Sequence, residues 1–109
     1  MRCLLVSDIH QQTHNLAGLI DRAGKPIDLV ICAGDLTNWG NRADATAIVN
    51  LLRPSPCLTI PGNLDTPEVE AYLVDTGSSI HAQCRIFQGW TFVGFGGGSA
   101  GFVGESAAK

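Results

Sequence analysis

The sequence predicts an α/β domain whose strands run parallel, with a helix crossing over between each pair. Three observations predict it. Short apolar runs at 3–6, 28–33 and 57–60 alternate with stretches of helical period. Each run leads into a polar residue able to bind a ligand: Asp8, Asp35 and Asn63. The spacing repeats, 27 residues from Asp8 to Asp35 and 28 from Asp35 to Asn63, close to one β-α unit each. Parallel strands need a crossover of this kind, and α/β sheets hold their ligands at the carboxyl ends of such strands.

The elements follow in order. Cys3-Leu4-Leu5-Val6 runs into Ser7-Asp8-Ile9-His10 and reads as a strand buried on both faces. Asp8 and His10, two residues apart at its end, alternate so as to project the same way. Leu16, Leu19, Ile20 and Ala23 then form the stripe of an amphipathic helix, which Gly24 and Pro26 stop. Asp28 to Ala33 is the second strand and leads into Gly34-Asp35. A second helix, from about Asn41 to Arg53, carries the stripe Ala47, Ile48, Leu51 and Leu52, with Pro54 and Pro56 closing it. Cys57 to Ile60 is the third strand, ending in Pro61-Gly62-Asn63-Leu64-Asp65. Thr66-Pro67-Glu68 starts a third helix with a hydroxyl cap, a first-position proline and an acid in the first turn, and Val69, Tyr72 and Leu73 face inward. Beyond residue 75, short runs at 79–81, 85–87 and 90–95, with turns at Gly77-Ser78-Ser79 and Gln88-Gly89, read as antiparallel additions to the sheet. Gly94 to Gly98 reads as a tight connection, because a phosphate-cradling loop would need a helix after it. The ending, to Lys109, reads as a loop.

Bulk properties bound the function. A chain of 109 residues is expected to be a single domain, 1–109. At 45% hydrophobic and 16% charged it has the composition of a folded protein and not of a disordered one. The net charge is −3, and Arg2, Arg22, Lys25, Arg42, Arg53, Arg85 and Lys109 are scattered singly, so there is no extended nucleic-acid surface. Cys3, Cys32, Cys57 and Cys84 form no C-x-x-C pair and sit in or beside apolar runs. They read as buried free thiols, which fits a reducing cytoplasm. The four apolar residues before Ser7 are too few for a signal peptide or a membrane span. No G-x-G-x-x-G follows the first strand, which excludes a Rossmann-type dinucleotide site.

Asp8, His10, Asp35 and Asn63 together supply two carboxylates, an imidazole and an amide oxygen. These suit Zn, Mn, Fe or Ni better than a thiolate site would. A bridging carboxylate can hold two such ions close together, and paired ions clamp the attacking and leaving oxygens of phosphoryl transfer.

Asp8-x-His10, Gly34-Asp35 and Gly62-Asn63-x-Asp65, in this order and each ending a strand, resemble the first three blocks of the calcineurin-like metallophosphoesterases. The resemblance spans residues 1 to 98. It implies a sandwich of two sheets flanked by helices, of which this chain supplies the N-terminal portion. It implies that Asp8 and His10 bind one metal, Asn63 the other, and that Asp35 bridges them. The implied activity is hydrolysis of phosphomono- or diesters by a hydroxide activated by two divalent ions (Mn2+, Fe2+, Zn2+ or Ni2+). Two departures stand out. Leu64 occupies the position where the family often has a histidine acting on the leaving group, and no histidine follows His81. The four ligands present would half-furnish two metals, so the 109 residues are expected to be an incomplete domain with weak metal binding. A non-catalytic protein-interaction module on the same fold is the second reading.

The other polar residues read more plainly. Asp65 is expected to cap the third helix or support the Asn63 loop, and His14 to be solvated at a helix start. Asn38 reads equally as a turn former or a residue near the substrate. Trp39 reads as a loop anchor ahead of a substrate-facing ring, and His81 falls in a predicted hairpin from which it could reach the site.

Overall fold

Three strands with apolar side chains on both faces pair in parallel, as the alternation with helices requires. In the computed structural model, which describes residues 1–96, they are β1 (Cys3–Val6), β2 (Leu29–Ala33) and β3 (Cys57–Ile60), in the order β1-β2-β3. Cys3 lies opposite Leu29 and Val6 opposite Cys32, and Val30 lies opposite Cys57 and Ala33 opposite Ile60. The expectations for Gly97 and Gly98 and for the ending at Lys109 fall outside the described residues.

Three helices cross between these strands and beyond: α1 (Thr13–Ala23), α2 (Arg42–Leu52) and α3 (Pro67–Asp75). Each starts or stops where the local chemistry predicts. Gly24 ends α1 at φ 71°, a left-handed conformation that glycine adopts without cost. Asn41 caps α2 through a reciprocal pair, its side chain accepting from the Asp44 amide while Asp44 accepts from the Asn41 amide. Thr66 caps α3 by accepting from the Val69 amide, with Pro67 at the first position. The Arg2 guanidinium donates to the carbonyls of Ala23, Gly24 and Pro26, which ties the start of β1 to the end of α1.

All three helices contribute to one core. Leu16, Ile48, Val49, Leu52, Val69, Tyr72 and Leu73 pack with Val6, Val30 and Cys32, which alternate onto one face of the sheet. Each fully buried side chain of this size contributes roughly 1.5–3 kcal/mol. The α2 stripe differs from expectation by a rotation: Ala45, Ile48, Val49 and Leu52 are buried, and Ala47 is exposed. Ile48 and Leu52 belong to both stripes, and turning Val49 inward in place of Ala47 buries more apolar area. Leu19 of α1 is exposed as well.

The opposite face is covered only in part. A hairpin of β4 (Gln83–Phe87) and β5 (Trp90–Gly94) forms a separate two-stranded sheet, with Phe87 opposite Trp90. Its two-residue loop has Gln88 at φ 50° and Gly89 at φ 82°, the turn that matches hairpin twist. Phe87 and Phe92 pack against Leu29, Leu58 and Ile80. Isolated bridges, Thr59 to Ser79 and His81 to Gly94, connect the two sheets, so residues 79–81 do not form the short strand expected of them. β1 is also not buried on both faces: it has a single strand neighbour, and Leu5 is 69% exposed.

The thiols divide in the same way. Cys32 is buried, Cys3 and Cys57 are half-buried and Cys84, on the hairpin, is exposed, contrary to the expectation of four buried cysteines. Burial pushes the Cys32 thiol up from 9.0 to about 12 and the Cys57 thiol to about 11. Only the thiolate attacks alkylating reagents. Iodoacetamide at pH 8 is therefore expected to label Cys84 first and leave Cys32 and Cys57 unmodified in the folded chain, as peptide mass mapping would read. The same shifts set a sign for stability. Below pH 9 both folded and unfolded states hold these thiols protonated. Above it the unfolded state ionises first, so stability falls between pH 9 and about 12.

Candidate metal centre

The carboxyl edge of the sheet is where β1, β2 and β3 release their chains, and the backbone there continues to pair after the strands end. The Asp8 amide donates to the Gly34 carbonyl (3.1 Å), His10 to Asp35 (3.0 Å) and Gln11 to Leu36 (3.0 Å). Through this stretch the chain takes up left-handed geometry at Asp8 (φ 56°), His10 (φ 48°), Gln11 (φ 64°) and Asp35 (φ 53°). Non-glycine residues pay for such conformations, which persist where surrounding bonds over-determine them. Asp8 and His10 therefore converge through a tight turn after β1, which ends at Val6, and not through the alternation of a strand.

The convergence is close. One ligand atom each from Asp8, His10 and Asp35 lie within 4.8 Å of one another. His10 Nε2 is 3.7 Å from Asp8 Oδ1, and the Ser7 hydroxyl donates to Asp8 Oδ2 at 2.9 Å. Asp8 is exposed, and His10 and Asp35 are half-buried. Nε2 is the His10 nitrogen that faces Asp8, while Nδ1 is buried and has no hydrogen-bond partner among the described residues. The donor set, two carboxylates and an imidazole, is the one that borderline divalent ions prefer.

Gly34 and Gly62 let the two loops touch. Gly34 has φ 96°, and a Cβ there would lie 2.9 Å from Gly62 Cα. A Cβ on Gly62 would overlap Asp35 Oδ1 and the Asp35 amide. The Leu64 amide donates to Asp35 Oδ1 at 2.9 Å. Asn63 stands on the turn between these two contacts, with its side chain exposed. The sequence-predicted residues are thus distributed as a tight group of Asp8, His10 and Asp35, with Asn63 on the adjoining turn.

Asp65 turns out to be a structural centre of the edge. It is 5% exposed, and its carboxylate accepts four hydrogen bonds. Oδ2 takes the Leu36 and Gly62 amides (3.2 and 2.9 Å), and Oδ1 takes the Thr37 amide and hydroxyl (2.8 and 3.0 Å). It therefore locks the Asp35 loop to the Asn63 loop, while the cap of α3 is Thr66. The Gly-Asn-x-Asp spacing carried a signal for this support, but not for its reach across 28 residues. Gln11, whose Oε1 accepts the Asn38 amide at 3.0 Å, joins the Asp8–His10 turn to the Asp35 loop, and nothing in the sequence marked it. Trp39 is anchored by its backbone, donating to the Leu64 carbonyl at 2.9 Å, while its ring is exposed. His14 is exposed on α1. His81 lies outside the cluster, and its Nδ1 accepts the Gly96 amide at 2.9 Å.

A carboxylate–imidazole–carboxylate group at the carboxyl edge of a parallel sheet defines an α/β domain with a candidate metal centre. A family model described as calcineurin-like phosphoesterase matches residues 1–106, and the chain belongs to that family. That membership supports, in general terms, a metal-dependent phosphoesterase. Comparison with curated proteins finds no match. Among the described residues no helix is long and apolar enough to cross a membrane.

Proposed function

We propose that this chain hydrolyses phosphomono- or diesters with the help of two divalent ions, drawn from Mn2+, Fe2+, Zn2+ and Ni2+. The observation that carries the reading is the cluster of Asp8, His10 and Asp35 ligand atoms within 4.8 Å. Asp8 and His10 would hold one ion, Asn63 would help to hold the other, and Asp35 would serve both. Bound ions supply Lewis acidity, a nucleophilic hydroxide near neutral pH and compensation for the charge that develops on the phosphoryl oxygens.

The chain's own residues do the positioning. The Leu64 amide holds one oxygen of Asp35, which fixes the orientation of the bridging carboxylate. Asp65 fixes the loops on either side of it. Asp8 and Asn63 are exposed, so the substrate approaches from the solvent side of the edge. Leu64 has no proton to donate, so protonation of the leaving group falls to solvent, and esters with good leaving groups are the better substrates. Scattered arginines and lysines do not gather into a phosphate-binding patch, and the ions take over that task. Free thiols fit a cytoplasmic setting.

Two observations favour the second reading, a non-catalytic interaction module. Leu64 replaces the acid, and the hairpin exposes Ile86, Trp90 and Val93. Titration with Mn2+ separates the two readings. Hydrolysis predicts binding heat, and ion at a hundredfold excess over its Kd should stabilise the fold by about 2.7 kcal/mol. It also predicts Mn2+-dependent release of p-nitrophenol from an aryl phosphodiester, abolished by chelator. No heat, no gain in melting temperature and no chelator-sensitive turnover would reject the hydrolase in favour of the module.

A further inference from the structure

We infer that His81 is a positioning residue for the Asn63 end of the metal centre, acting through Gly96 and Pro61. The geometry forms a continuous chain of contacts. β5 ends beside β3 because two glycines allow it. A Cβ on Gly94 would lie 2.6 Å from Ile80 Cγ1 and 2.9 Å from Ile60 Cγ2, and a Cβ on Gly96 would overlap the Pro61 carbonyl and lie 2.9 Å from Ile60 Cβ. The backbone at Gly96 therefore lies directly on the segment that leads into Gly62 and Asn63. What holds it there is the hydrogen bond from its amide to His81 Nδ1, at 2.9 Å.

His81 is itself well placed to act as an anchor. Ile80, its neighbour, donates to the Thr59 carbonyl at 2.9 Å, and the Ala82 amide donates to Gly94 at 2.9 Å. The imidazole stacks against Phe95, with ring centroids 5.3 Å apart. A neutral imidazole has one acceptor nitrogen, and this one spends it on Gly96. Hence Nδ1 is unavailable as a metal ligand, and a structural task accounts for the residue. The Asn63 turn is gripped from two sides: by the Asp65 carboxylate, which accepts the Gly62 amide, and by Gly96 pressed on Pro61. The grip from Asp65 also spans the Asp35 loop, whereas the grip from His81 bears on the Asn63 turn and reaches Asp35 only through the Leu64 amide. His81 should therefore tune the Asn63 turn most and spare Asp8 and His10.

This consequence for metal binding rests on the phosphoesterase reading, whereas the contact chain can be tested without metal. The experiment compares the metal-free, 15N-labelled wild-type chain with His81→Asn, whose Oδ1 can replace Nδ1 as the acceptor, and with His81→Phe, which keeps a ring beside Phe95 but accepts nothing. In the wild type, a nitrogen–nitrogen coupling across the hydrogen bond should link the Gly96 amide to His81 Nδ1. His81→Phe should speed exchange of the Gly96 amide about tenfold and move the Gly62, Asn63 and Leu64 resonances, and His81→Asn should restore both. With Mn2+ added, His81→Phe should weaken the second binding step about tenfold and the first step less. Unmoved Gly62 to Leu64 resonances in His81→Phe, or no rescue by asparagine, would overturn the inference. Should His81→Phe fail to fold, absence of the cross-hydrogen-bond coupling in the wild type would overturn it equally. If the wild type binds no Mn2+, the phosphoesterase reading fails, and the amide pattern still decides the role of His81.

Discussion

Replacing Asp35 by alanine is expected to abolish Mn2+-dependent hydrolysis and to remove the Mn2+ binding heat in calorimetry. Asp35 shares the cluster with Asp8 and His10, and it accepts the Leu64 amide from the turn that carries Asn63. Deleting it would remove the proposed bridging ligand and loosen that turn in one step. Metal and oxyanion stabilisation of this kind is worth several kcal/mol in the transition state, so the rate should fall on the order of a thousandfold. Asparagine at the same position separates the two roles. Asp35→Asn keeps an oxygen for the Leu64 amide but gives up the charge. It should fold with wild-type stability and still lose the metal-dependent rate. The alanine variant should lose about 1 kcal/mol of stability as well, for the lost hydrogen bond. Wild-type turnover in either variant, read as initial rates on an aryl phosphodiester, would remove Asp35 from the centre.

The sequence disclosed the strands, the crossover helices and the residues at the strand ends, because those follow from period and spacing along the chain. It disclosed less wherever a contact spans the chain. The inward face of α2 depends on which of two overlapping stripes buries more area against α1 and α3, and periodicity alone does not choose between Ala47 and Val49. The exposure of Leu5 reflects a strand at the edge of its sheet, and an apolar run looks the same at an edge as in the middle. Asp8 and His10 were legible as a pair, but their convergence is made by left-handed turns and not by strand alternation. Gly62, directly before a ligand candidate, reads as a glycine that allows a sharp turn and a close approach, and Asp35 is what occupies the space of its Cβ. The sequence places His81 in a hairpin within reach of the site but does not show its hydrogen bond, because the partner is a backbone amide 15 positions away.

Asp65→Ala should be the most destabilising single change at this edge. The carboxylate is buried and accepts three backbone amides and one hydroxyl. Alanine would strand those donors in a place where water enters poorly. Each unsatisfied buried donor costs about 1–3 kcal/mol, and with partial relaxation a total loss of about 3–5 kcal/mol is expected. For a domain near 100 residues, a loss of this size lowers the melting temperature by at least about 12 °C. Asparagine should not rescue it, in contrast to Asp35. Oδ1 faces the Thr37 amide and Oδ2 faces the Leu36 and Gly62 amides, so either orientation of an amide side chain points its NH2 group at a backbone N–H. Asp65→Asn is therefore expected to fall within about 1 kcal/mol of Asp65→Ala, a donor–donor clash replacing a vacancy. Urea unfolding of both variants measures this directly. An asparagine variant as stable as the wild type would show that the four hydrogen bonds do not hold the Asp35 and Asn63 loops together. In that event the Gly34–Gly62 backbone contact, and not Asp65, would be what brings the second and third strand ends into one site.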